Sequence, residues 1–219
     1  MNLDFAEYLS DDELAKIAPM LDRLSMLEKQ KLSQDKYMDF VKRIWPNFIE
    51  GRHHKTYADK LQQVADGKIK RLIVNMPPRH TKSEFASYLF PSWLMGKNPD
   101  VKLAADAKAS GRWSTNKGGE YYAVGVGGAL AGRGADLLII DDPVSEQDAL
   151  SPTALDSIYD WYTSGPRQRL QPGGSIIIVM TRWGIKDLTA RVLQKQAQGG
   201  ADTWDVVEFP AIFPETDNV

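Results

Sequence analysis

Apolar and polar residues along the chain follow two different periods. Near the start, Leu14, Ile17, Leu21 and Leu24 recur at spacings of three and four residues, which places them on one face of a helix. From residue 70 onward, apolar residues come in short unbroken runs such as "RLIVNM" at 71–76, a pattern typical of buried strands in a parallel sheet. The pattern predicts helices first, and then strands alternating with helices.

Capping residues and helix breakers delimit six predicted helices. Ser10 and Glu13 form a capping box, Pro46 stops the second helix, and Gly67 and Gly96 follow the third and fourth. The predicted helices cover residues 10–28, 35–44, 55–65, 83–95, 153–162 and 186–198. The predicted buried strands cover residues 71–76, 136–142 and 174–183.

Strands that alternate with helices favour an α/β fold, with a mainly parallel sheet flanked by helices. Residues 100–136 are predicted to be rich in loops, because glycine and lysine are frequent there and the apolar runs are short. We divide the chain into an N-terminal helical segment at 1–46, the α/β domain at 47–210, and a linker or tail at 211–219.

Composition excludes several classes of protein. The 27 Lys and Arg residues nearly balance 29 Asp and Glu, so the net charge of −2 provides no global basic field for nucleic acid. Cysteine is absent, which excludes disulfides, thiolate metal sites and a cysteine nucleophile. No apolar run approaches the roughly 20 residues that span a bilayer, so we expect a soluble, intracellular protein without a membrane anchor.

The stretch "PPRHTKSE" at 77–84 lies between a predicted buried strand and a predicted helix. This is the context of a phosphate-binding P-loop, although Met76 and Thr81 stand where the Walker A template has glycine. Lys82 would neutralise the β- and γ-phosphates, and the Ser83 hydroxyl would hold Mg²⁺. The alternative is a surface lysine at a helix start. The predicted loop residues are Pro78, Arg79, His80, Thr81, Lys82, Ser83 and Glu84.

Two adjacent carboxylates end the next predicted strand, "LLIIDD". Like charges side by side are costly unless a cation is present, so this pair favours a metal-assisted role. Asp141 is the candidate on the metal side, and Asp142 is the candidate that orients the attacking water. Glu146 is an alternative to Asp142, since its longer side chain reaches further.

Thr181 and Arg182 follow the third strand, at the sheet edge where ligands bind in such folds. They would lie near the γ-phosphate and transmit the effect of hydrolysis. The alternative is that Arg182 pairs with an acidic neighbour while Trp183 fills core space.

Together, "NMPPRHTKSE", "GRGADLLIIDDP" and "IIIVMTRWGIKDLTARV" resemble the ATPase half of the large terminase subunits of tailed bacteriophages, motors that drive DNA into empty capsids. The resemblance covers most of residues 47–212. It implies a P-loop NTPase that uses ATP and Mg²⁺, with Lys82 and Ser83 in the Walker A role and Asp141 and Asp142 in the Walker B role.

The resemblance also assigns roles to residues around these motifs. It implies that Arg79 contacts the γ-phosphate, that Thr181 belongs to a coupling motif, and that His53 and His54 lie near the adenine. Two features depart from the family. Thr81 stands where many relatives have glycine, and the region after Asp100 is shortened, so that the sheet is expected to lack an element.

DNA contacts require local cations, because the DNA backbone carries one charge per about 1.7 Å of helix axis. The candidates are cationic residues of the glycine-rich middle region, which also contains Trp113. They are Lys102, Lys108, Arg112, Lys117 and Arg133. The alternative is a solvated loop with scattered charges. In a ring, Arg79 in cis, or Arg167 and Arg169 from a neighbour, would stabilise charge in the transition state.

The sequence thus predicts the ATP-hydrolysing motor of a terminase large subunit, which packages double-stranded DNA into a procapsid. The resemblance implies a portal protein and a small terminase subunit as partners, a homo-oligomeric ring, and a place in the host cytoplasm with transient docking on the procapsid. No nuclease activity is expected from this chain. The alternatives are a non-hydrolysing nucleotide-binding or docking module, and a helicase-like DNA-dependent ATPase.

Overall fold

The computed structural model describes residues 11–106, 111–126, 134–199 and 202–211. The chain divides into two compact units, Met1–Phe48 and Ile49–Val219, and each is described by itself. None of the helices in the described ranges combines the length and the apolar character needed to cross a membrane. The capping box predicted at Ser10 lies outside these ranges.

Two helices form the described part of the first unit. Helix α1 spans Asp11–Asp35 and helix α2 spans Tyr37–Ile44, and the extended backbone of Lys36 separates them. The helices pack against each other, and Arg43 Nη1 donates a hydrogen bond to Ser33 Oγ at 2.9 Å. The first helix ends at Asp35, beyond the predicted end at residue 28.

A seven-stranded sheet forms the centre of the second unit. Its strands are β1 (Arg71–Asn75), β2 (Lys102–Asp106), β3 (Arg112–Ser114), β4 (Glu120–Val124), β5 (Ala135–Asp141), β6 (Leu170–Met180) and β7 (Asp205–Glu208). They lie in the order β3, β4, β2, β5, β6, β1, β7. Every neighbouring pair is parallel except β3 with β4.

The three predicted apolar strands are adjacent and in register. Ile140 on β5, Ile178 on β6 and Ile73 on β1 form one row across the sheet, and all three side chains are fully buried. Burying a side chain of this size stabilises a fold by about 1.5 to 3 kcal/mol. The row fixes the register of β1, β6 and β5, and so determines which residues meet where these strands end.

Helices flank the sheet. Helix α3 (Arg52–Ala65) packs against β1, while α5 (Pro152–Ser164) and α6 (Leu188–Ala197) join the buried cluster around Ile73 and Ile178. A π-helical segment, Glu84–Leu89, contacts β5 and continues into α4 (Phe90–Lys97). Short 3-10 turns cover Asp148–Leu150 and Pro166–Arg169. The predicted α/β fold with a mainly parallel sheet flanked by helices is confirmed.

The prediction of a loop-rich middle is wrong for much of residues 100–136. Strands β2, β3 and β4 lie there, and β2 pairs with β5, so the sheet continues without a gap past the strand that ends at Asp141. Small apolar residues explain the error: Ala104, Ala105 and Ala123 are buried in these strands but make no conspicuous apolar run. Whether the sheet lacks an element of the resembled family stays a prediction.

Strand β7 was also not predicted. It pairs with β1 along Asp205–Glu208, and Phe209 N continues the pairing by donating to Asn75 O at 2.9 Å. The strand has only four residues and only Val207 is buried, so its pattern carries little signal. Most of the predicted tail, at 212–219, lies outside the described residues.

Candidate functional site

The candidate site lies at the edge of the sheet where the parallel strands end, which we call the carboxyl edge. Strand β1 ends at Asn75, β5 ends at Asp141 and β6 ends at Met180, and β6 lies between the other two. In open α/β sheets, ligands bind in the crevice beyond these strand ends. The loop from Met76 to Ser83 leads from β1 into the π-helical segment, and so passes over this edge.

The loop contains two residues in left-handed backbone conformation. Arg79 and Thr81 both have φ of 63°, although neither is glycine. Asp142 has φ of 46°, so three of the four positive-φ residues other than glycine in the described ranges lie at this site. Such strain persists only where the surroundings impose it, and it is concentrated at functional sites.

Lys82 and Asp142 form an ion pair. Lys82 Nζ lies 2.7 Å from Asp142 Oδ2, and Lys82 is only 7% exposed. A lysine is almost never buried to this degree unless it is paired. The interpretation of Lys82 as a surface lysine is therefore wrong, because the fold turns its side chain toward the end of β5.

Asp141 is bound by two hydroxyl groups. Ser83 Oγ donates to its Oδ1 at 2.9 Å, and Ser87 Oγ donates to its Oδ2 at 2.7 Å. Burial raises the pKa of Asp141, the two serine hydrogen bonds oppose the rise, and the charge of Asp142 adds to it. The sequence identified Ser83 but missed Ser87, which lies four residues on, on the same helical face.

Thr181 joins the loop, β5 and β6. Its backbone N–H donates to Asp142 Oδ1 at 2.8 Å, and its hydroxyl donates to Met76 O at 3.4 Å. Asp142 is therefore bound on both carboxylate oxygens, one facing Thr181 and the other facing Lys82. The structure brings together Lys82, Ser83, Asp141, Asp142 and Thr181, five of the residues selected from the sequence.

His54 holds the loop from the side of α3. Gly51 N–H donates to Nδ1 at 2.8 Å, so Nε2 carries the proton and donates to Thr81 Oγ1 at 2.9 Å. Thr81 Oγ1 in turn donates to His80 O at 2.6 Å. Burial, with smaller contributions from His53 and His80, lowers the pKa of His54 to about 4. His54 is thus a neutral donor that helps hold Thr81.

Tyr57 is a second contact from α3 to the loop, and sequence reasoning missed it. Its hydroxyl donates to Lys82 O at 2.9 Å, and its side chain is fully buried. The rings of His54 and Tyr57 both stack on Phe85, with centroids 5.2 Å and 5.6 Å away. The only sequence signal was an aromatic residue on the apolar side of the predicted helix 55–65.

His53 belongs to an aromatic group at the rim of the loop. Its ring lies 3.8 Å from His54, 5.9 Å from His80 and 6.2 Å from Phe209 between centroids. Burial first, and then the charge of His80, lower the pKa of His53. The prediction that His53 and His54 lie near an adenine stays a prediction.

The remaining loop candidates face solvent. Pro78, Arg79, His80 and Glu84 are exposed, and His80 Nδ1 lies 2.8 Å from Pro78 O. Glu146, the alternative to Asp142, is exposed in the segment after β5. Asp142, by contrast, already contacts Lys82 and Thr181.

Arg182 pairs with acidic neighbours. Its Nε lies 2.7 Å from Oδ2 of the fully buried Asp187, and its Nη1 lies 3.6 Å from Glu208. Asp187 also caps α6 by accepting from Ala190 N at 3.0 Å. Trp183 is 39% exposed, so the part of the alternative that placed it in the core is wrong.

A cleft of about 330 Å³ opens beside the loop at the carboxyl edge. The ends of β1, β6 and β7 contribute its walls, and Arg182 and Glu208 provide its charged groups. Apolar residues Met76, Pro77 and Phe209 complete it. The cleft continues the edge on which the loop lies.

The DNA candidates are scattered. Arg112 on β3 lies 3.6 Å from Glu120, and Lys117 is exposed in the turn between β3 and β4. Lys102 begins β2, and so lies at the edge opposite the carboxyl edge. Lys108 and Arg133 lie outside the described residues.

Arg167 and Arg169 precede β6, so they too lie at the opposite edge from Lys82. Arg167 Nη2 is bound to Asp202 Oδ2 at 3.0 Å, and Arg71 Nε lies 3.1 Å from the same oxygen. The pKa of Asp202 is lowered by these two guanidinium groups, which outweigh the effect of burial. Within one chain, neither Arg167 nor Arg169 reaches the site at the carboxyl edge.

The residues at the end of β5 fit a hard divalent cation. Ser83 Oγ and the Asp141 carboxylate are oxygen donors 2.9 Å apart, and Mg²⁺ is commonly held by one or two such groups together with substrate phosphates. No group of three or more His, Asp or Glu suited to a metal ion lies within residues 11–106, 111–126, 134–199 and 202–211.

A comparison with models of known protein families and with curated proteins finds no match to this chain.

Proposed function

We propose that this chain is the ATP-binding and ATP-hydrolysing motor domain of a viral terminase large subunit, which drives double-stranded DNA into a procapsid. One observation carries the nucleotide part of the proposal. Ser83 Oγ lies 2.9 Å from Asp141 and Lys82 Nζ lies 2.7 Å from Asp142, so a strand-to-helix loop meets a carboxylate pair across β6. This pairing of groups suits a phosphate chain and its cation.

Binding of ATP would use the loop in the manner of a P-loop. The backbone amides at the start of the helical segment would surround the β-phosphate, and Lys82 would exchange Asp142 for phosphate oxygens. His54 and Tyr57 support this role, because their hydrogen bonds hold the loop at Thr81 and Lys82. The loop is thus preorganised, which lowers the cost of binding.

Ser83 and Asp141 would hold Mg²⁺. When bound, Mg²⁺ would neutralise negative charge that develops on the transferred phosphoryl group. The serine hydrogen bonds keep Asp141 ready to act as a ligand, because they favour its ionised form against the effect of burial.

Asp142 is the group we propose to orient the attacking water. The Thr181 N–H fixes one carboxylate oxygen at 2.8 Å, and departure of Lys82 to the phosphates would free the other oxygen to accept from water. Lys82 and Arg79 would stabilise charge as the water attacks in line. When the contacts of Asp142 change, its hydrogen bond from the Thr181 N–H would change as well, and Thr181 would transmit this movement along β6.

The packaging role rests on the family resemblance of the three motifs. On that basis, the partners are double-stranded DNA, a portal protein and a small terminase subunit, with the chain in a homo-oligomeric ring. The place of action is the host cytoplasm, where the ring docks transiently on the procapsid. Arg112 and Lys117, on the β3–β4 hairpin, are among the described candidates for contacting the DNA backbone.

Steady-state ATP hydrolysis tests this proposal. Lys82→Ala and Asp141→Ala are each expected to lower kcat by about 100-fold or more, because each removes charge stabilisation at the reacting phosphate. Lys68→Ala and Asp160→Ala, at exposed positions outside the site, are the matched controls and should keep wild-type turnover. Equal turnover in all four variants would overturn the assignment.

Two further outcomes would favour the alternatives. Nucleotide binding without turnover in the wild-type chain favours a non-hydrolysing docking module. Stimulation of hydrolysis by DNA alone, with no further effect of portal or small terminase protein, favours a helicase-like ATPase.

A further inference from the structure

The Asp141 carboxylate is bound on both oxygens, and only one of its two partners belongs to the phosphate loop. Ser83 donates to Oδ1, whereas Ser87 donates to Oδ2 at 2.7 Å. Ser87 is 2% exposed and lies in the π-helical segment Glu84–Leu89. Segments of this kind are rare and are frequently found at functional sites.

The two serines would separate when the site is loaded. If Ser83 turns its hydroxyl to a cation, Asp141 Oδ1 loses its donor and becomes free to bind the same cation. Ser87 then remains as the donor that fixes the orientation of the carboxylate through Oδ2. Hydrogen bonds that orient a metal ligand in this way typically contribute about 10-fold to 100-fold in metal affinity.

Ser87 also connects the site to the exposed edge of the sheet. Tyr121, on β4, donates its hydroxyl to Ser87 O at 3.4 Å. The Tyr121 ring stacks on Trp113 of β3, with centroids 5.4 Å apart and planes inclined by 21°. Trp113 is 43% exposed, so the chain of contacts runs from solvent at the β3–β4 hairpin to Asp141.

We propose that Ser87 is a positioning residue for the cation-binding carboxylate, and that it couples the loaded site to the β3–β4 hairpin through Tyr121. This inference rests on the proposed function, since it requires Asp141 to bind a cation together with a nucleotide. A shift of the Ser87 backbone when Asp141 binds its cation would move the carbonyl that Tyr121 holds. The hairpin, which carries Arg112 and Lys117, would thereby respond to nucleotide.

The first experiment measures the Mg²⁺ dependence of AMP-PNP binding by calorimetry. Ser87→Ala is expected to raise the half-saturating Mg²⁺ concentration by about 10-fold to 100-fold and to leave AMP-PNP affinity without Mg²⁺ unchanged. Ser92→Ala is the matched control, because Ser92 lies further along the same helical stretch and its exposed hydroxyl donates only to Tyr88 O. If Ser87 only supported the fold, Ser87→Ala would weaken AMP-PNP binding equally with and without Mg²⁺.

The second experiment measures amide hydrogen exchange across residues 112–124. In the wild-type chain, Mg²⁺ with AMP-PNP is expected to slow exchange in the hairpin by at least about threefold. Exchange rates report the free energy of local opening, so a hairpin that opens less often exchanges more slowly. Tyr121→Phe keeps the ring stack but removes the hydroxyl, and it should abolish this response while retaining nucleotide binding. This comparison decides the coupling even if Ser87→Ala does not fold.

The outcomes separate this inference from the proposed function. A wild-type chain that binds no Mg²⁺ with AMP-PNP would overturn both. Wild-type binding with equal Mg²⁺ dependence in Ser87→Ala and Ser92→Ala would overturn the positioning role alone. An unchanged exchange response in Tyr121→Phe would overturn the coupling.

Discussion

Backbone strain at single residues is concentrated around the candidate phosphate site. A left-handed conformation costs about 1 to 2 kcal/mol for a residue other than glycine. Thr81 is held in it by the hydrogen bond from His54, and Asp142 is held by Lys82 and Thr181 N. Arg79 shares the conformation although its side chain is exposed. The strain thus lies in the loop and at the end of β5, where we propose that phosphates and their cation bind.

Arg79 provides the clearest test of this strain. Arg79→Gly is expected to raise the free energy of unfolding by about 0.5 to 1 kcal/mol relative to Arg79→Ala, because glycine accepts a φ of 63° without a Cβ clash. Urea denaturation of the two variants gives the difference directly, since both lack the guanidinium group. Equal stabilities would mean that Arg79 is not left-handed in solution.

His54 is expected to make stability depend on pH. Its folded-state pKa of about 4 lies below the ordinary value of 6.5, so between these values the unfolded chain binds the additional proton. The free energy of unfolding should therefore fall as pH drops from 6.5 toward 4, by about 2 kcal/mol at pH 5 for this group.

Urea denaturation of His54→Gln at pH 7 and pH 5 measures this contribution, because glutamine keeps a donor for Thr81 but does not titrate. The variant should lose about 2 kcal/mol less than the wild type between the two pH values. His80→Gln is the comparison variant: the charge of His80 makes only a minor contribution to the lowered pKa of His54, so this variant should respond to pH nearly as the wild type does. If the wild type and His54→Gln respond alike, His54 is not the buried neutral donor described above.

At the scale of elements, the sheet extends further than its apolar runs indicate. Three strands could be predicted because β-branched runs mark strands buried on both faces. Strand β2 escaped notice because its centre is Ala104 and Ala105, and β4 because its two tyrosines stand between glycine-containing segments and form no long apolar run. The pairing of these strands with β5 and with each other is a tertiary effect, which strand propensity alone does not report.

Gly119 tests whether β4 enters the sheet as described. A Cβ at this position would lie 2.4 Å from Pro99 O and 2.8 Å from Val101 O, both backbone atoms that cannot move away easily. Gly119→Ala is expected to lower the free energy of unfolding by about 2 kcal/mol, in the range of overpacking substitutions. Gly111→Ala is the matched control, because a Cβ there meets no atom of the described residues within 4 Å.

Chemical denaturation of both glycine variants measures the effect. A loss of similar size in Gly119→Ala and Gly111→Ala would point to a general cost of alanine in this region. Unchanged stability in Gly119→Ala would contradict the close approach of β4 to the segment before β2.

At the scale of the whole molecule, the sheet brings distant residues together. Lys82 and Asp142 are 60 positions apart and Thr181 is 39 further on, yet the order of β5, β6 and β1 places all three at one edge. The Lys-Ser and Asp-Asp pairs could be predicted, because the first lies between an apolar strand and a helix and the second ends an apolar strand. Their partners Ser87 and Tyr57 could not, because a buried hydroxyl on a helix has no spacing that distinguishes it from packing.

The topology also sorts the predicted cations by location. Lys82, Arg79 and Arg182 belong to the carboxyl edge, whereas Arg167 and Arg169 lie at the opposite edge. Arg169 and Arg182 flank the same strand, one before it and one after it. Strand direction decides their location: residues before β6 and residues after it are separated by the length of the sheet.

The central claim is that Lys82, Ser83, Asp141 and Asp142 form a site for a nucleotide with its cation. Calorimetric titration of the wild-type chain and of Lys82→Ala with AMP-PNP and Mg²⁺ tests this claim most directly, with Lys68→Ala as the control. We expect saturable binding by the wild type and by Lys68→Ala, and an affinity at least about tenfold lower in Lys82→Ala, since one charge-assisted contact is lost. Absence of binding by the wild type, or equal affinity in Lys82→Ala, would contradict it.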